Sequence, residues 1–139
     1  MQRPFLITLP ITVKTYDIDY AAIVHNAVYI RWLEDLRTQM MVDYYPVEEM
    51  VADGITPILT RTEIDYRVPV RLGDPVVGQM WIAKLERTRW TIQTEMHVGE
   101  SLTTTSRQFG YFANLENGRP IRIPPRLKTI WDEQIKDEG

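Results

Sequence analysis

Between Tyr29 and Met41 the apolar residues Tyr29, Trp32, Leu33, Leu36, Met40 and Met41 recur at spacings of three and four, with Arg31, Glu34, Asp35 and Arg37 between them. That period predicts one long amphipathic helix. Asn26, a favoured N-cap residue, predicts its start, and the run ends between Asp43 and Pro46. A shorter helix, Val47 to Ala52, is stopped by Asp53-Gly54. From Ile55 the period falls to two, the repeat of a strand with one buried face. Its clearest case is Trp90 to Val98, where Trp90, Ile92, Thr94, Met96 and Val98 share one face and Thr91, Gln93, Glu95 and His97 the other, wetter one. Gly99-Glu100 predicts a two-residue hairpin into a strand from Ser101 to Ala113. Pro57 to Tyr66 and Val76 to Leu85 read as two further strands. Phe5 to Thr15, with Pro10 inside it, suits a first strand at a sheet edge. The tail, residues 118–139, carries Pro120, Pro124 and Pro125, then a helical turn around Ile130 to Gln134, and is expected to dock on the surface.

Strand, long helix and four more strands predict an α+β fold, a single antiparallel sheet of about five strands around one helix, with residues 1–139 as one domain. One sheet and one helix leave open edges and a half-covered face. With four tryptophans in 139 residues, this predicts that the chain hides surface as a homodimer. A homotetramer of two dimers is expected beyond that, with the sheet face that would join them left open.

Composition narrows the functions. Sixteen basic against nineteen acidic side chains give a net charge of −3, which argues against nucleic acid as a partner. No stretch approaches ~20 consecutive apolar residues and no secretory leader is visible, so no membrane partner and a cytoplasmic location are expected. Without cysteine there is no thiolate zinc site, disulfide or cysteine nucleophile, and His25 and His97 are the only imidazoles. Neither sits in a cluster of carboxylates at ligand spacing, so no metal site and no cofactor are expected.

Chemistry is best placed just ahead of the long helix. Asp19 puts a carboxylate near backbone N–H groups at the positive end of the helix. Such N–H donors can hold an oxyanion while the carboxylate acts as nucleophile or as general base on water. On spacing alone, Asp17 and Asp19 could equally be turn caps.

The run from Tyr16 to Glu34, which includes Asp19, His25-Asn26 and Tyr29-Ile30-Arg31-Trp32-Leu33-Glu34, resembles the signature of the hotdog-fold acyl-CoA thioesterases of the 4-hydroxybenzoyl-CoA thioesterase family. Thr56-Pro57-Ile58 and the segment Asp65 to Asp74 resemble it too, so the similarity extends from about Val13 to Phe112. The resemblance implies a hotdog fold and hydrolysis of an acyl-CoA thioester to a free acid and CoA without metal or redox cofactor. It carries the catalytic carboxylate onto Asp19 and the oxyanion-binding N–H onto Asn26. Relatives that place a histidine seven residues after the carboxylate have it where this chain has Asn26, and His25 lies one earlier, about 100° away on a helix start. His25 is therefore a catalytic candidate, with a capping or surface role as its alternative.

For substrate binding the resemblance points to Tyr29, Trp32 and Glu34 along the helix, and in a dimer Asp19 of one copy is expected to face Asp65, Thr60 or Thr62 of the other. Core packing, or for Glu34 pairing with Arg31 or Arg37, is the plainer role. Arg87 and Arg89, in the turn where relatives hold the CoA phosphates, are candidates for that task, ahead of Arg67 and Arg71. Acyl carrier protein is an alternative donor. The rival functions are a hotdog hydratase or dehydratase, in which Asp19 and His25 converge, and a non-catalytic acyl-CoA-binding module. Many relatives have glycine where this chain has Ala22, so the turn after Asp19 must tolerate a side chain.

Overall fold

A computed structural model describes residues 2–136. The elements are β1 (Ile7–Thr12), a 3-10 turn (Thr15–Asp17), α1 (Val28–Tyr44), α2 (Val47–Ala52), β2 (Ile55–Tyr66), β3 (Pro75–Leu85), β4 (Arg89–Val98), β5 (Ser101–Asn114), β6 (Pro120–Ile121) and α3 (Pro125–Lys136). They form an antiparallel sheet in the order β1-β3-β4-β5-β2. The β4 ladder on β5 ends at Arg89 opposite Tyr111, and β6 takes up the same side of β5 at Phe112 and Ala113. Register shifts at Leu59/Arg61, Ile82/Lys84 and Met96/His97 bend the sheet. Its concave face receives α1.

The helix buries Val28, Tyr29, Trp32, Leu33, Leu36 and Met40 against that face. Close approach is possible because Gly78 lies beneath Leu36: a Cβ there would come within 3.0 Å of the Leu36 side chain. Opposite them, Ile82, Trp90, Ile92, Met96 and Phe112 supply the sheet's share of the core. The helix-facing side also carries a buried polar row, Thr94, Thr104, Ser106 and Gln108. Gln108 donates to Thr62 Oγ1 at 3.1 Å.

Several expectations needed correction. Asn26 is not the N-cap: α1 begins at Val28, after Ala27, with no side-chain cap. A hydrogen bond from the Val28 N–H to the His25 carbonyl (3.0 Å) closes the preceding turn instead, which delays the helix. The helical turn expected around Ile130 to Gln134 is a 12-residue helix, α3, entered at Pro125, as the fixed φ of proline favours at a first helical position. It docks through Gln134, which accepts the Phe5 N–H at 2.7 Å. The last three residues of the tail lie outside the described residues. Thr91, placed on the wet face, is buried, and His97 is half-buried. On that same face Trp81 is covered by Arg3, whose guanidinium lies 3.9 Å from the ring centroid.

Candidate active site

The segment ahead of α1 is a tight loop. Ile18 bridges Val24, and the Asp19 N–H donates to the Ile23 carbonyl at 2.9 Å, so Asp19 to Ile23 fold back on themselves. Asp19 Oδ1 accepts the N–H groups of Ala21 (2.8 Å) and Ile23 (3.3 Å). Among the described residues Oδ2 has no partner, and the side chain is half-buried. The turn does tolerate Ala22, at a cost: its φ is +60°, the left-handed region that a Cβ disfavours.

Asp17 does a different job. It is 2% exposed, accepting the Lys14 N–H at 2.9 Å and pairing with Arg31 at 3.0 Å. It pins the loop to α1, and it also removes Arg31 as a partner for Glu34, which is exposed.

Three hydrogen bonds set the backbone between loop and helix. The His25 N–H donates to the Asp17 carbonyl (3.0 Å), the Val28 N–H to the His25 carbonyl (3.0 Å), and the Tyr66 hydroxyl to the Asn26 carbonyl (3.1 Å). In a trans peptide the N–H points opposite to the preceding C=O. The Asn26 N–H is therefore turned away from the helix, and among the described residues nothing accepts it. The His25 and Asn26 side chains are exposed and make no hydrogen bond among the described residues. The structure thus brings Asp19, His25 and Asn26 onto one loop. Tyr66, which braces that loop, escaped the sequence reading because only the fold carries the end of β2 back to the start of α1.

The expected binding residues are less concentrated. Tyr29 is core, packed edge-on to Trp32 (5.0 Å) and Tyr66 (5.1 Å). Burial pushes its hydroxyl pKa up, against the opposing pull of a hydrogen bond with Thr104. Trp32 borders a groove of about 320 Å³ beside β1, with Asp17 and Arg31. Thr60 is the extra residue of the β2 bulge, and its hydroxyl donates to the Phe109 carbonyl at 3.0 Å. Arg87 and Arg89 are exposed at the β3–β4 turn. That turn and the Asp19 loop, which pairs through Ile23 with Arg71 just before β3, sit at opposite ends of β3. Eleven residues of strand separate them, roughly 35 Å. A single chain does not bring the arginines to Asp19.

An apolar cavity of about 200 Å³ opens between the C-terminal half of α1 and the sheet, lined by Met40, Met41, Leu59, Trp90 and Phe112 among others. Among the described residues no group of three or more His, Asp or Glu side chains could hold a metal ion. None of the described helices is long and apolar enough to cross a membrane.

A curled antiparallel sheet around one long helix, with a carboxylate-bearing loop at the start of that helix, is the hotdog architecture of thioester hydrolases. A family model described as the thioesterase-like superfamily matches residues 13–130, and the chain belongs to that superfamily. No curated protein matches the chain at a significant level. Among solved structures, a thioesterase from Thermus thermophilus, complexed with coenzyme A and Zn, is 21% identical with a TM-score of 0.79, over 96% of each chain. A DHNA-CoA thioesterase from Staphylococcus aureus is 19% identical with a TM-score of 0.80, over 96% of this chain and 90% of that one. Another Staphylococcus aureus protein, in complex with CoA, is 17% identical with a TM-score of 0.84, over 98% of this chain and 86% of that one. Similarity at this level establishes the shared fold.

Proposed function

We propose that the protein hydrolyses an acyl-CoA thioester to a free acid and CoA, with Asp19 as nucleophile or general base and the Asn26 N–H as oxyanion donor. The observation that carries this reading is the pairing, on one braced loop, of a carboxylate oxygen and a backbone N–H that have no hydrogen-bond partner among the described residues. The Asn26 N–H would receive the oxyanion as the carbonyl is attacked, and the nearby positive end of α1 adds to its pull. As general base, Asp19 takes a proton from the attacking water, and that proton passes to the CoA thiolate as the C–S bond breaks. As nucleophile, Asp19 displaces the thiolate to form an acyl–aspartyl anhydride, which water hydrolyses to the free acid while the thiolate takes up the proton released.

The reading includes a homodimer. β2 is a 12-residue edge strand whose outer side pairs with no strand among the described residues, and antiparallel pairing of two copies along it would set the Arg87–Arg89 end of one beside the Asp19 end of the other. That arrangement would supply phosphate-binding guanidiniums to a carboxylate they cannot reach within one chain.

Thiol release from a panel of aryl-CoA and straight-chain acyl-CoA thioesters, wild type against Asp19→Asn, tests the proposal. The asparagine oxygen can still accept the Ala21 and Ile23 N–H groups, so the loop survives while the charge is lost. We expect release by the wild type and a loss of at least about a hundredfold in the variant. Undiminished release would remove Asp19 from the chemistry, and no release from any thioester would turn the reading to a binding module.

A further inference from the structure

The cavity beneath the C-terminal half of α1 has a lining with no carboxylate and one charge, Arg37. Arg37 is half-buried and forms part of the cavity's lining. Among the described residues it makes no hydrogen bond and no ion pair. Glu34, one turn earlier, is close enough only to favour its charge, and burial has the larger effect in the opposite direction, lowering its pKa. Burying a guanidinium beside methionine and aromatic side chains is costly unless an anion joins it. Two ways of removing that cost were open to this chain: an acid among the lining residues, or a charge on the helix face within bonding reach. It uses neither.

We infer that this cavity is a binding site for an apolar chain or ring ended by a carboxylate, with the carboxylate paired to Arg37. An apolar cavity of ~150 Å³ takes a benzene ring, so the space of about 200 Å³ suits a substituted ring or a chain of roughly six to eight carbons. Met40, Met41 and Met50 make part of the wall, and their flexible side chains adapt to either shape. A guanidinium grips a carboxylate through two parallel N–H bonds, and it does so more strongly where water is partly excluded. The carboxylate could belong to a free acid, or be the far carboxylate of a dicarboxylic acyl group. The second source rests on the thioesterase reading and on its antiparallel dimer, because an eight-carbon chain is too short to run from Asp19 to the cavity of the same copy, and the first source rests on neither.

Calorimetric titration with octanoate and with 1-octanol, on wild type, Arg37→Met and Met41→Trp, tests the site independently of turnover. Octanoate should bind the wild type, and binding should weaken by about tenfold or more in Arg37→Met, whereas octanol binding stays unchanged. Met41→Trp, which fills the space while keeping the charge, should lose both ligands. Circular dichroism confirms that each variant is folded. A second arm compares thiol release from suberyl-CoA and octanoyl-CoA. A preference for suberyl-CoA that disappears in Arg37→Met assigns the carboxylate to the substrate, and octanoate binding without that preference assigns it to a free acid. If octanoate binds equally to wild type and Arg37→Met, or to neither, with no suberyl preference, the inference is wrong. A change of oligomeric state in Arg37→Met, with no octanoate bound by the wild type, overturns it in favour of an acidic side chain of a second copy.

Discussion

Two aspartates two residues apart have opposite surroundings, and their surroundings divide the work. Asp17 has both oxygens engaged, one by Arg31 and one by the Lys14 N–H. Asp19 spends one oxygen on its own loop, and the other has no partner among the described residues. Arg31→Met should therefore destabilise the fold by about 2 kcal/mol in urea denaturation: it strands a buried carboxylate, although the Lys14 bond survives and half of the arginine side chain was already in water. Asp19→Asn should leave stability within about 0.5 kcal/mol while removing activity. Ala22 offers a test of opposite sign. Its φ of +60° costs an L-residue about 1–2 kcal/mol, and glycine would escape that while losing part of it to a freer unfolded chain. Ala22→Gly should raise stability by about 0.5–1 kcal/mol, and a lowered melting temperature would show that the loop is unstrained.

Among the elements, the three helices meet at one clasp. The Tyr45 hydroxyl, between α1 and α2, donates to Asp53 at 2.5 Å. Arg126 of α3 lies 4.5 Å over the Tyr45 ring, grips Glu49 of α2 with two N–H groups, and donates to the Tyr44 carbonyl. Burial first, then the bond to Asp53, pushes the Tyr45 pKa up from 10.0 to about 12. Because the folded state favours the neutral phenol, its contribution is present in full below pH 10 and is lost as pH rises from 10 to about 12. Tyr45→Phe should cost about 1 kcal/mol at neutral pH, and its stability should fall less than that of the wild type across that window, measured by denaturant titration at each pH. Equal alkaline losses would show that Tyr45 titrates as if unfolded. None of the partner choices in this clasp could be read from the chain. Periodicity located α1, α2 and β2 to β5 to within two residues, because burial on one face is written locally. What joins them is not local: Glu49 and Arg126 are 77 residues apart. The loop of Asp19 was legible through its motif, but the late start of α1 depends on the turn made by His25 and Val28. Gly110 is a similar case. Its missing Cβ leaves room for the Trp90 ring, which would lie 2.2 Å from that atom, and only the register of β4 on β5 puts the two together.

At the scale of the whole molecule, the features that suit catalysis sit at opposite ends. α1 alone is 17 residues, roughly 25 Å, with the Asp19 loop at its start and the cavity, Arg87 and Arg89 toward its far end. Either the site is confined to the loop end, or two copies complete each other's sites along β2. The two cases differ in a mixing experiment. Asp19→Asn and the double variant Arg87→Ala/Arg89→Ala are each expected to be poor enzymes at low substrate concentration. If each site takes Asp19 from one copy and the arginines from the other, a mixed dimer holds one intact site and one doubly damaged site. Unfolding and refolding the two variants together in equal amounts makes about half of the dimers mixed, so about a quarter of wild-type turnover should return. With both groups drawn from a single chain, every site in every dimer stays damaged and mixing restores nothing. Dilution checks the same point: turnover per chain should fall once the concentration drops below the dimer dissociation constant, in step with the loss of dimer seen by light scattering.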